Sequence, residues 1–305
     1  MSTNRLRAVI AAAAAVILAG LAGCGTLPAN GAPGGPPSTA PGSGSAGPAP
    51  STTAPAATPV SLAVYYIGTE RVWRESDGQP IDRVRLYREF HRLGAGDGGA
   101  RARTLAAVAE MLAPASARDP DYGAGWPASA RVREVRIEND AVTVDIEGAA
   151  RNNVGSEAAH QAIQQLVWTA TAASGQPGVR LLMDGRPVDE LWGHVDVRGV
   201  LRRAPAQDVL AHVWLIDPQH GASVGRTFTV HVSGYVHEAT INIRVRKGNQ
   251  TVRTTFVTVA GTGLFGEART RLTLPAGRYT IEAFAPNNAS GLGDLFLDDH
   301  EVTVA

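Results

Sequence analysis

The sequence predicts a two-layer α+β domain followed by an all-β sandwich, with an unstructured tether in front of both. Strand and helix signals alternate between residues 59 and 198, and only strand signals follow residue 208. Residues 25–58 lack the apolar side chains that a core needs. The chain has 305 residues, 44% of them hydrophobic, which is enough for two ordinary domains.

The N-terminus predicts export and lipid attachment. Arg5 and Arg7 precede an uncharged apolar run over residues 8–22, shorter than the roughly 20 residues that a membrane span needs. Gly23 and Cys24 then complete a lipobox, in which the segment resembles bacterial lipoprotein precursors. The resemblance implies cleavage between Gly23 and Cys24 and a lipid-modified thiol on Cys24. The alternative is a plain secretory signal in which Cys24, the only cysteine, is incidental.

Residues 1–23 are therefore assigned to a lipoprotein signal peptide and residues 24–58 to a disordered tether. Beyond Cys24, every tether residue except Leu27 and Asn30 is Gly, Ala, Pro, Ser or Thr, and none is charged. Such a composition cannot bury enough apolar surface to offset the entropy of ordering. As a flexible coil it averages about 32 Å end to end, so it would hold the rest of the chain away from the membrane.

Residues 59–198 predict the α+β domain, with helices on one face of a sheet. Alternating, β-branched and aromatic-rich segments predict strands, and stripes of apolar residues at helical spacing predict two helices. Asn139-Asp140 predicts a hairpin turn, and Gly175 predicts a left-handed helix cap. The expected elements are strands 60–68 and 83–90, helix 101–112, strands 132–138 and 141–146, a helix between a Ser156 cap and the Gly175 cap, and strand 179–183.

Residues 208–305 predict an immunoglobulin-like β-sandwich, joined to the first domain by a linker over residues 199–207. Seven short strands in fewer than a hundred residues is the count expected for that fold. Tyr279 lies where a tyrosine corner would use its hydroxyl to hold the connection before its strand. The expected strands are 213–216, 227–233, 239–246, 251–259, 268–274, 278–285 and 295–304.

Both domains resemble known bacterial modules. Residues 60–198 are similar to the sporulation and spore germination (GerMN) domain, in Val64-Tyr65-Tyr66, Ala113-Pro114, the Asn139-Asp140 hairpin, Leu166-Val167-Trp168-Thr169 and the segment from Met183 to Pro187. Residues 211–305 resemble the immunoglobulin-like domain of bacterial spore germination, in Ile216-Asp217-Pro218, Phe228 to Gly234, Val236-His237-Glu238-Ala239 and Gly293-Asp294. The resemblance implies envelope-associated, non-catalytic modules and does not imply that the organism forms spores.

The charge balance and the motifs argue against several activities. The 28 basic residues equal the 28 acidic ones, so no cationic surplus favours nucleic acid. The dinucleotide-binding pattern GxGxxG occurs at Gly94, Gly96 and Gly99. A strand of a dinucleotide-binding fold is buried on both faces, whereas the strand before these glycines is apolar on one face only, so the motif is interpreted as a plain loop. Gly261, Gly263 and Gly266 repeat the spelling between two strands, with no helix to follow. We therefore expect no nucleotide and no cofactor.

No catalytic or metal-binding set is predicted either. The sequence has no nucleophile elbow, and its eight histidines lack zinc-ligand spacing. The run Asp298 to Glu301 could supply oxygen and nitrogen ligands, but adjacent strand residues point to opposite faces, so a solvated edge strand is favoured. Among the aromatic candidates Trp73, Trp126, Trp192 and Trp214, Trp126 is the one least explained by core packing. It is therefore the predicted partner-contact residue.

These observations predict a lipoprotein on the outer face of the bacterial cell membrane, anchored through Cys24. We expect it to act as a non-catalytic binding or scaffolding module for cell-wall polymer or for another envelope protein. One alternative is a regulatory partner of an extracytoplasmic sensor kinase, and a second is a cell-wall or glycan hydrolase. A hydrolase would need paired carboxylates, and Asp184, Asp189 and Glu190 form the only acidic set close in sequence.

Replacing Cys24 with serine tests the anchor. Two acyl chains hold a protein stably at a bilayer, whereas a hydroxyl in place of the thiol cannot be alkylated by the lipid donor. We expect Cys24→Ser to leave the membrane fraction or to accumulate as an unprocessed precursor, as followed by fractionation and gel mobility. Normal processing with unchanged membrane association would contradict lipidation.

Overall fold

A computed structural model describes residues 58–74, 76–259, 264–285 and 293–305. Gly23, Cys24 and the tether through residue 57 lie outside the described residues, so lipid attachment and the tether stay predictions. Gly261 and Gly263 lie outside them as well.

The first domain combines a long hairpin, two helices and a small sheet. Its elements are β1 (Pro59–Trp73), β2 (Pro80–Gly94), α1 (Gly99–Leu112), β3 (Arg131–Ile137), β4 (Val142–Glu147), α2 (Ser156–Ser174), β5 (Val179–Met183), β6 (Arg186–Pro187), β7 (Glu190–Leu191) and β8 (Val195–Asp196). Strands β1 and β2 pair antiparallel over their full length. The order β3-β4-β5-β6 forms a second sheet, in which only β4 and β5 are parallel.

Burial of α2 and β4 explains why this domain folds. Strand β4 lies between two neighbours and buries five of its six residues, as expected where both faces are covered. Helix α2 buries a wide stripe that includes Ala162, Leu166 and Ala170, and Gly175 ends it in the left-handed conformation (φ 77°) that glycine adopts without strain. The α+β class, the Gly175 cap and the β3–β4 hairpin are as the sequence predicts.

The second domain is a sandwich of two sheets. A short helix, α3 (Ala206–Val209), precedes it, and its strands are β9 (Val213–Asp217), β10 (Ser223–Val224), β11 (Thr227–Gly234), β12 (Thr240–Lys247), β13 (Gln250–Thr258), β14 (Gly266–Thr273), β15 (Gly277–Ala285) and β16 (Leu295–Val304). One sheet has the order β10-β16-β15-β12-β13 and the other β14-β11-β9. The tyrosine corner is confirmed, because the Tyr279 hydroxyl donates to the Pro275 carbonyl at 3.0 Å.

An apolar cluster joins the two domains. Leu86 and Tyr87 of β2 pack with Trp168 of α2 and with Trp214 and Ile216 of β9, and all five are at least nine-tenths buried. Neither domain can cover these side chains by itself, so their burial favours one relative position of the two. Among the described residues, both domains accordingly lie in one compact unit.

The segment predicted as a linker, residues 199–207, packs against the first domain. Leu201 exchanges backbone hydrogen bonds with Val179 at 2.8 and 2.9 Å. The guanidinium of Arg203 lies 4.2 Å from the Trp168 ring centroid and donates to the hydroxyl of Thr171. The segment that connects the two domains is therefore held against the first domain.

Removing the Trp214 side chain should destabilise both domains as one cooperative unit. Its side chain is 2% exposed, and truncating a buried tryptophan to alanine typically costs about 3–5 kcal/mol. We expect Trp214→Ala to lower the free energy of unfolding by this amount while a single urea transition is kept, as measured by circular dichroism. The matched control is Phe256→Ala, whose ring is 64% exposed and which should be nearly neutral. Two separate transitions would contradict the joint core.

Candidate functional site

A buried polar cluster lies where the two domains meet. Strand β16 supplies Asp298 and His300, which share one face because they are two residues apart. The loop from α1 to β3 supplies Asp119, and the loop from β9 to β10 supplies His220. Ligand-type atoms of Asp119, Asp298 and His300 lie within 4.8 Å of one another, and these three residues are 2%, 6% and 2% exposed.

This arrangement corrects the expectation for residues 298–301. Strand β16 pairs with β15 there, and Asp298 and His300 are buried because the first domain and the loop after β9 cover their side chains. Neighbouring strand residues point to opposite faces, but alternate residues such as Asp298 and His300 share one face. Asp119, from the other domain, completes a cluster of possible metal ligands with them, which the sequence pattern of residues 298–301 does not indicate.

A second buried carboxylate, Glu89, positions the loop that carries Asp119. Its oxygens accept the backbone N–H groups of Arg118 and Asp119 at 2.9–3.1 Å and lie 2.7 Å from Nε2 of His91. The Oδ1 atom of Asp119 in turn accepts the N–H of Asp121 at 2.8 Å. The remaining oxygen, Oδ2, is thereby left facing the histidines of the second domain.

Asp298 is held by donors from both domains. Its carboxylate accepts the Tyr122 hydroxyl at 2.6 Å and the Leu215 backbone N–H at 2.7 Å. Tyr122 stacks on Tyr87 with ring centroids 4.4 Å apart. Gly68 makes this stack possible, because a Cβ atom there would lie 2.8 Å from both rings.

His300 has one defined donor and one open acceptor. Its Nδ1 lies 2.7 Å from the Pro218 carbonyl, which can only accept, so Nδ1 carries the proton. In the neutral ring Nε2 then carries a lone pair, and this nitrogen has no hydrogen-bond partner among the described residues. It lies 3.5 Å from Oδ2 of Asp119, and Nδ1 of His220 lies at the same distance from that oxygen.

Burial dominates the electrostatics of the cluster. It raises the pKa of Asp298 to about 7, although hydrogen bonds from Tyr122 and Leu215 oppose the rise. It also raises the pKa of Asp119 to about 6, with a further rise from the Asp298 charge. Burial lowers the pKa of His300, since a charged imidazolium is poorly solvated there. Each shift disfavours the charged form of its group, and among the described residues no Arg or Lys side chain pairs with Asp119 or Asp298.

Beside the cluster, a groove of about 750 Å³ opens to solvent between the domains. The first domain contributes Arg92 and Arg118, and the second contributes His220, Glu267 and Arg269. Neither Arg92 nor Arg118 forms an ion pair with a described residue, and both side chains are exposed. The rim of the groove thus carries unpaired positive charge.

Trp126, the predicted contact residue, lies in the core instead. It is 6% exposed, its indole N–H donates to the Ala162 carbonyl at 3.2 Å, and its ring meets Trp192 edge to face at 5.5 Å. The loop from α1 to β3, which carries Trp126, folds back over α2, so the expectation that core packing explains Trp126 least is wrong. Trp192 and Trp73 donate to the carbonyls of Ala149 and Asp294 respectively, and Trp214 is in the joint core.

The first glycine motif is used in packing. The Gly96 N–H donates to the Thr58 carbonyl at 2.9 Å, and a Cβ atom at Gly96 would lie 2.9 Å from Thr58. Helix α1 begins at Gly99 with no side-chain cap. These contacts account for Gly96 without a phosphate.

Each of the two domains matches a known protein family. A family described as "Sporulation and spore germination" matches residues 63–189, and one described as "Immunoglobulin-like domain of bacterial spore germination" matches residues 212–291. The chain carries these two germination-type domains. Neither description names a chemical reaction.

Solved structures include similar folds. A Clostridium perfringens protein, assigned provisionally as a lipoprotein, is 16% identical over 50% of this chain and 93% of its own, with a TM-score of 0.31. The first GerMN domain of the sporulation protein GerM from Bacillus subtilis is 21% identical over 47% of this chain and 98% of its own, also with a TM-score of 0.31. The tandem GerMN domains of GerM are 16% identical over 50% of this chain and 47% of theirs, with a TM-score of 0.34.

No curated protein matches the chain. Within the described ranges, no helix combines the length and the hydropathy needed to cross a membrane.

Glu89 should control the stability of the Asp119 loop. Burial raises its pKa, but the hydrogen bonds from His91, Arg118 and Asp119 outweigh burial and hold the pKa below its usual value. Its contribution is therefore full above the usual glutamate pKa of about 4.3 and is lost as the pH falls through the lowered folded-state pKa. We expect Glu89→Gln to reduce the free energy of unfolding by about 1–3 kcal/mol at pH 7, and by less at pH 3.

Urea unfolding of wild type and variant at both pH values measures this effect. Glu147→Gln is the matched control, because Glu147 is exposed at the end of β4. An equal loss at pH 3 and pH 7 would show that shape, not charge, decides the role of Glu89.

Proposed function

We propose that the protein is a lipid-anchored envelope lipoprotein that binds an anionic cell-wall polymer without catalysis. The observation that carries this proposal is the groove between the domains, with Arg92 and Arg118 exposed and unpaired among the described residues. Guanidinium groups pair well with phosphate and carboxylate, which such polymers repeat along their length. The lipobox at Cys24 and the tether would hold the groove near the wall.

Joint burial of the two domains supports a binding role. A rigid groove loses little entropy when a ligand settles in it, whereas a hinge between the domains would have to be ordered first. The Arg88 side chain of β2 pairs with Glu267 of β14, and Gln219 donates to the Phe90 carbonyl at 2.7 Å. Both contacts cross the junction beside the groove and hold its walls in place.

A protein partner, such as the sensor domain of a kinase, is the second candidate. Strand β13 is at the edge of its sheet, and its Val252 and Phe256 are 43% and 64% exposed. An edge strand with exposed apolar side chains can accept an added strand from another protein. This surface is separate from the arginines of the groove, so the two candidates can be tested independently.

A glycan hydrolase is the least supported candidate. Asp119 and Asp298 are the carboxylates closest to the arrangement that such an enzyme needs, but they are 2% and 6% exposed. A sugar ring cannot reach carboxylates buried to this degree. The acidic residues Asp184, Asp189 and Glu190, noted from the sequence, lie in the turns and short strands after β5.

Charge reversal in the groove tests the proposal. We expect Arg92→Glu with Arg118→Glu to weaken co-sedimentation of the full chain with purified cell walls by about tenfold or more, because repulsion replaces attraction. Arg151→Glu is the control, since Arg151 is exposed but does not line the groove. Wild-type binding should also weaken as salt rises.

The outcomes separate the candidates. Unchanged wall binding in the double variant would overturn the groove proposal. Loss of a protein partner in Val252→Lys with Phe256→Lys, with wall binding intact, would favour the edge strand instead. Turnover of wall fragments that stops when one polar residue is changed would establish a hydrolase.

A further inference from the structure

The tautomer of His300 leaves a lone pair directed at a carboxylate. Nδ1–H donates to the Pro218 carbonyl at 2.7 Å, so Nε2 of the neutral ring can only accept. Its nearest polar neighbour, Oδ2 of Asp119 at 3.5 Å, is also an acceptor when ionised. His300 is 2% exposed, so bulk water does not separate the two atoms. Two acceptors that face each other in a buried site need a cation or a proton between them.

The surrounding charges do not supply that cation. Asp298 adds a second carboxylate within 4.8 Å, and among the described residues no Arg or Lys pairs with Asp119 or Asp298. The nearest exposed arginine, Arg118, directs its backbone N–H to Glu89 and lies on the groove side. One divalent ion would balance the two carboxylates beside a neutral imidazole.

The spacing of two ligand atoms, on Asp119 and His300, fits a metal ion, and a carboxylate oxygen of Asp298 lies within 4.8 Å of ligand atoms of both residues. Metal–ligand bonds of about 2.0–2.2 Å at tetrahedral angles place neighbouring ligand atoms about 3.4 Å apart. The 3.5 Å between Asp119 Oδ2 and His300 Nε2 matches that separation. His220 could supply a fourth ligand atom. Its Nδ1 also lies 3.5 Å from Oδ2 of Asp119 and has no hydrogen-bond partner among the described residues.

Each ligand is also held by an outer hydrogen bond. Imidazoles that bind metals characteristically donate their other N–H to a carbonyl or carboxylate, as His300 does to Pro218. The carboxylate of Asp298 accepts from Tyr122 and Leu215, and that of Asp119 accepts from Asp121. These bonds orient the three ligands before any ion arrives.

We propose that Asp119, Asp298 and His300 bind one divalent first-row transition-metal ion that links the two domains. The imidazole nitrogen favours zinc and its neighbours over magnesium or calcium, which prefer oxygen ligands alone. Asp119 belongs to the first domain, and Asp298 and His300 belong to the second. Bound metal therefore stabilises their junction. The role is structural and independent of what the groove binds.

Metal titration of the full chain tests this site. Protein stripped with a chelator is titrated with Zn²⁺, Mn²⁺ or Mg²⁺, and bound metal is counted by elemental analysis. We expect one Zn²⁺ per chain and a Tm increase of about 5–10 °C when free Zn²⁺ is 100-fold above its Kd, with no increase from Mg²⁺. No Zn²⁺ uptake, or an equal response to Mg²⁺, would overturn the proposal.

A nearly isosteric variant separates metal loss from misfolding. In Asp119→Asn the new amide can donate to Nε2 of His300, so the metal-free variant should unfold no more easily than the metal-free wild type. Its Zn²⁺ affinity should nevertheless fall at least tenfold, because a carboxylate ligand is lost. The matched control is His160→Gln, an exposed histidine on α2, which should bind Zn²⁺ as wild type does.

Two results would contradict the assignment. Zn²⁺ binding that survives Asp119→Asn but is lost in His160→Gln would place the ion elsewhere. A metal-free wild type that is already as stable as Asp119→Asn and takes up no Zn²⁺ would show that a proton shared by Asp119 and His300 fills the role of the ion.

Discussion

The burial of Asp298 is the constraint on which the junction depends. A carboxylate in that position is costly unless donors surround it, and the donors come from both domains: Tyr122 from the first and Leu215 from the second. Separating the domains would remove the tyrosine and expose the apolar cluster around Leu86 and Trp214. The hydrogen bonds to Asp298 fix the orientation of the two domains, and burial of the apolar cluster supplies the larger stabilisation. Together they hold the domains in one relative position.

Another buried carboxylate at the junction, Glu70, follows the same rule. Glu70 of β1 is 1% exposed and accepts the backbone N–H of His212 at 2.6 Å, with Nδ1 of the same histidine at 2.8 Å. His212 in turn stacks on Phe296 of β16 at 4.5 Å. The β1–β2 hairpin therefore contacts the second domain through buried carboxylates, aromatic rings and apolar side chains.

Rigidity at the junction fixes the shape of the groove. The groove has walls from both domains, so its shape depends on contacts that are buried elsewhere in the same interface. Arg118 adjoins Asp119 in the sequence, and His220 lines the groove while its Nδ1 lies 3.5 Å from Oδ2 of Asp119. The buried cluster and the groove therefore share one scaffold.

Much of the fold is predictable from local sequence patterns. The alternation along β12, the stripe on α2, the Gly175 cap and the tyrosine corner of Tyr279 each depend on neighbours within one or two elements. Such patterns report which face of an element is buried. They do not report which distant element covers it, and for that reason the sequence favours a contact role for Trp126, although α2 covers its ring.

The sequence by itself determined the two domain classes, their order and most element positions, because hydrophobic periodicity and turn residues act locally. Only the tertiary structure decided that Asp119 lies beside Asp298 and His300, since 179 residues separate Asp119 from Asp298 and no local pattern links them. It also decided that Asp298 and His300 are buried, because Tyr122 and Asp119 of the first domain cover the face of β16 that carries them. The physical reason is that burial of a polar side chain depends on long-range packing, whereas strand and helix formation depend mainly on the nearest residues.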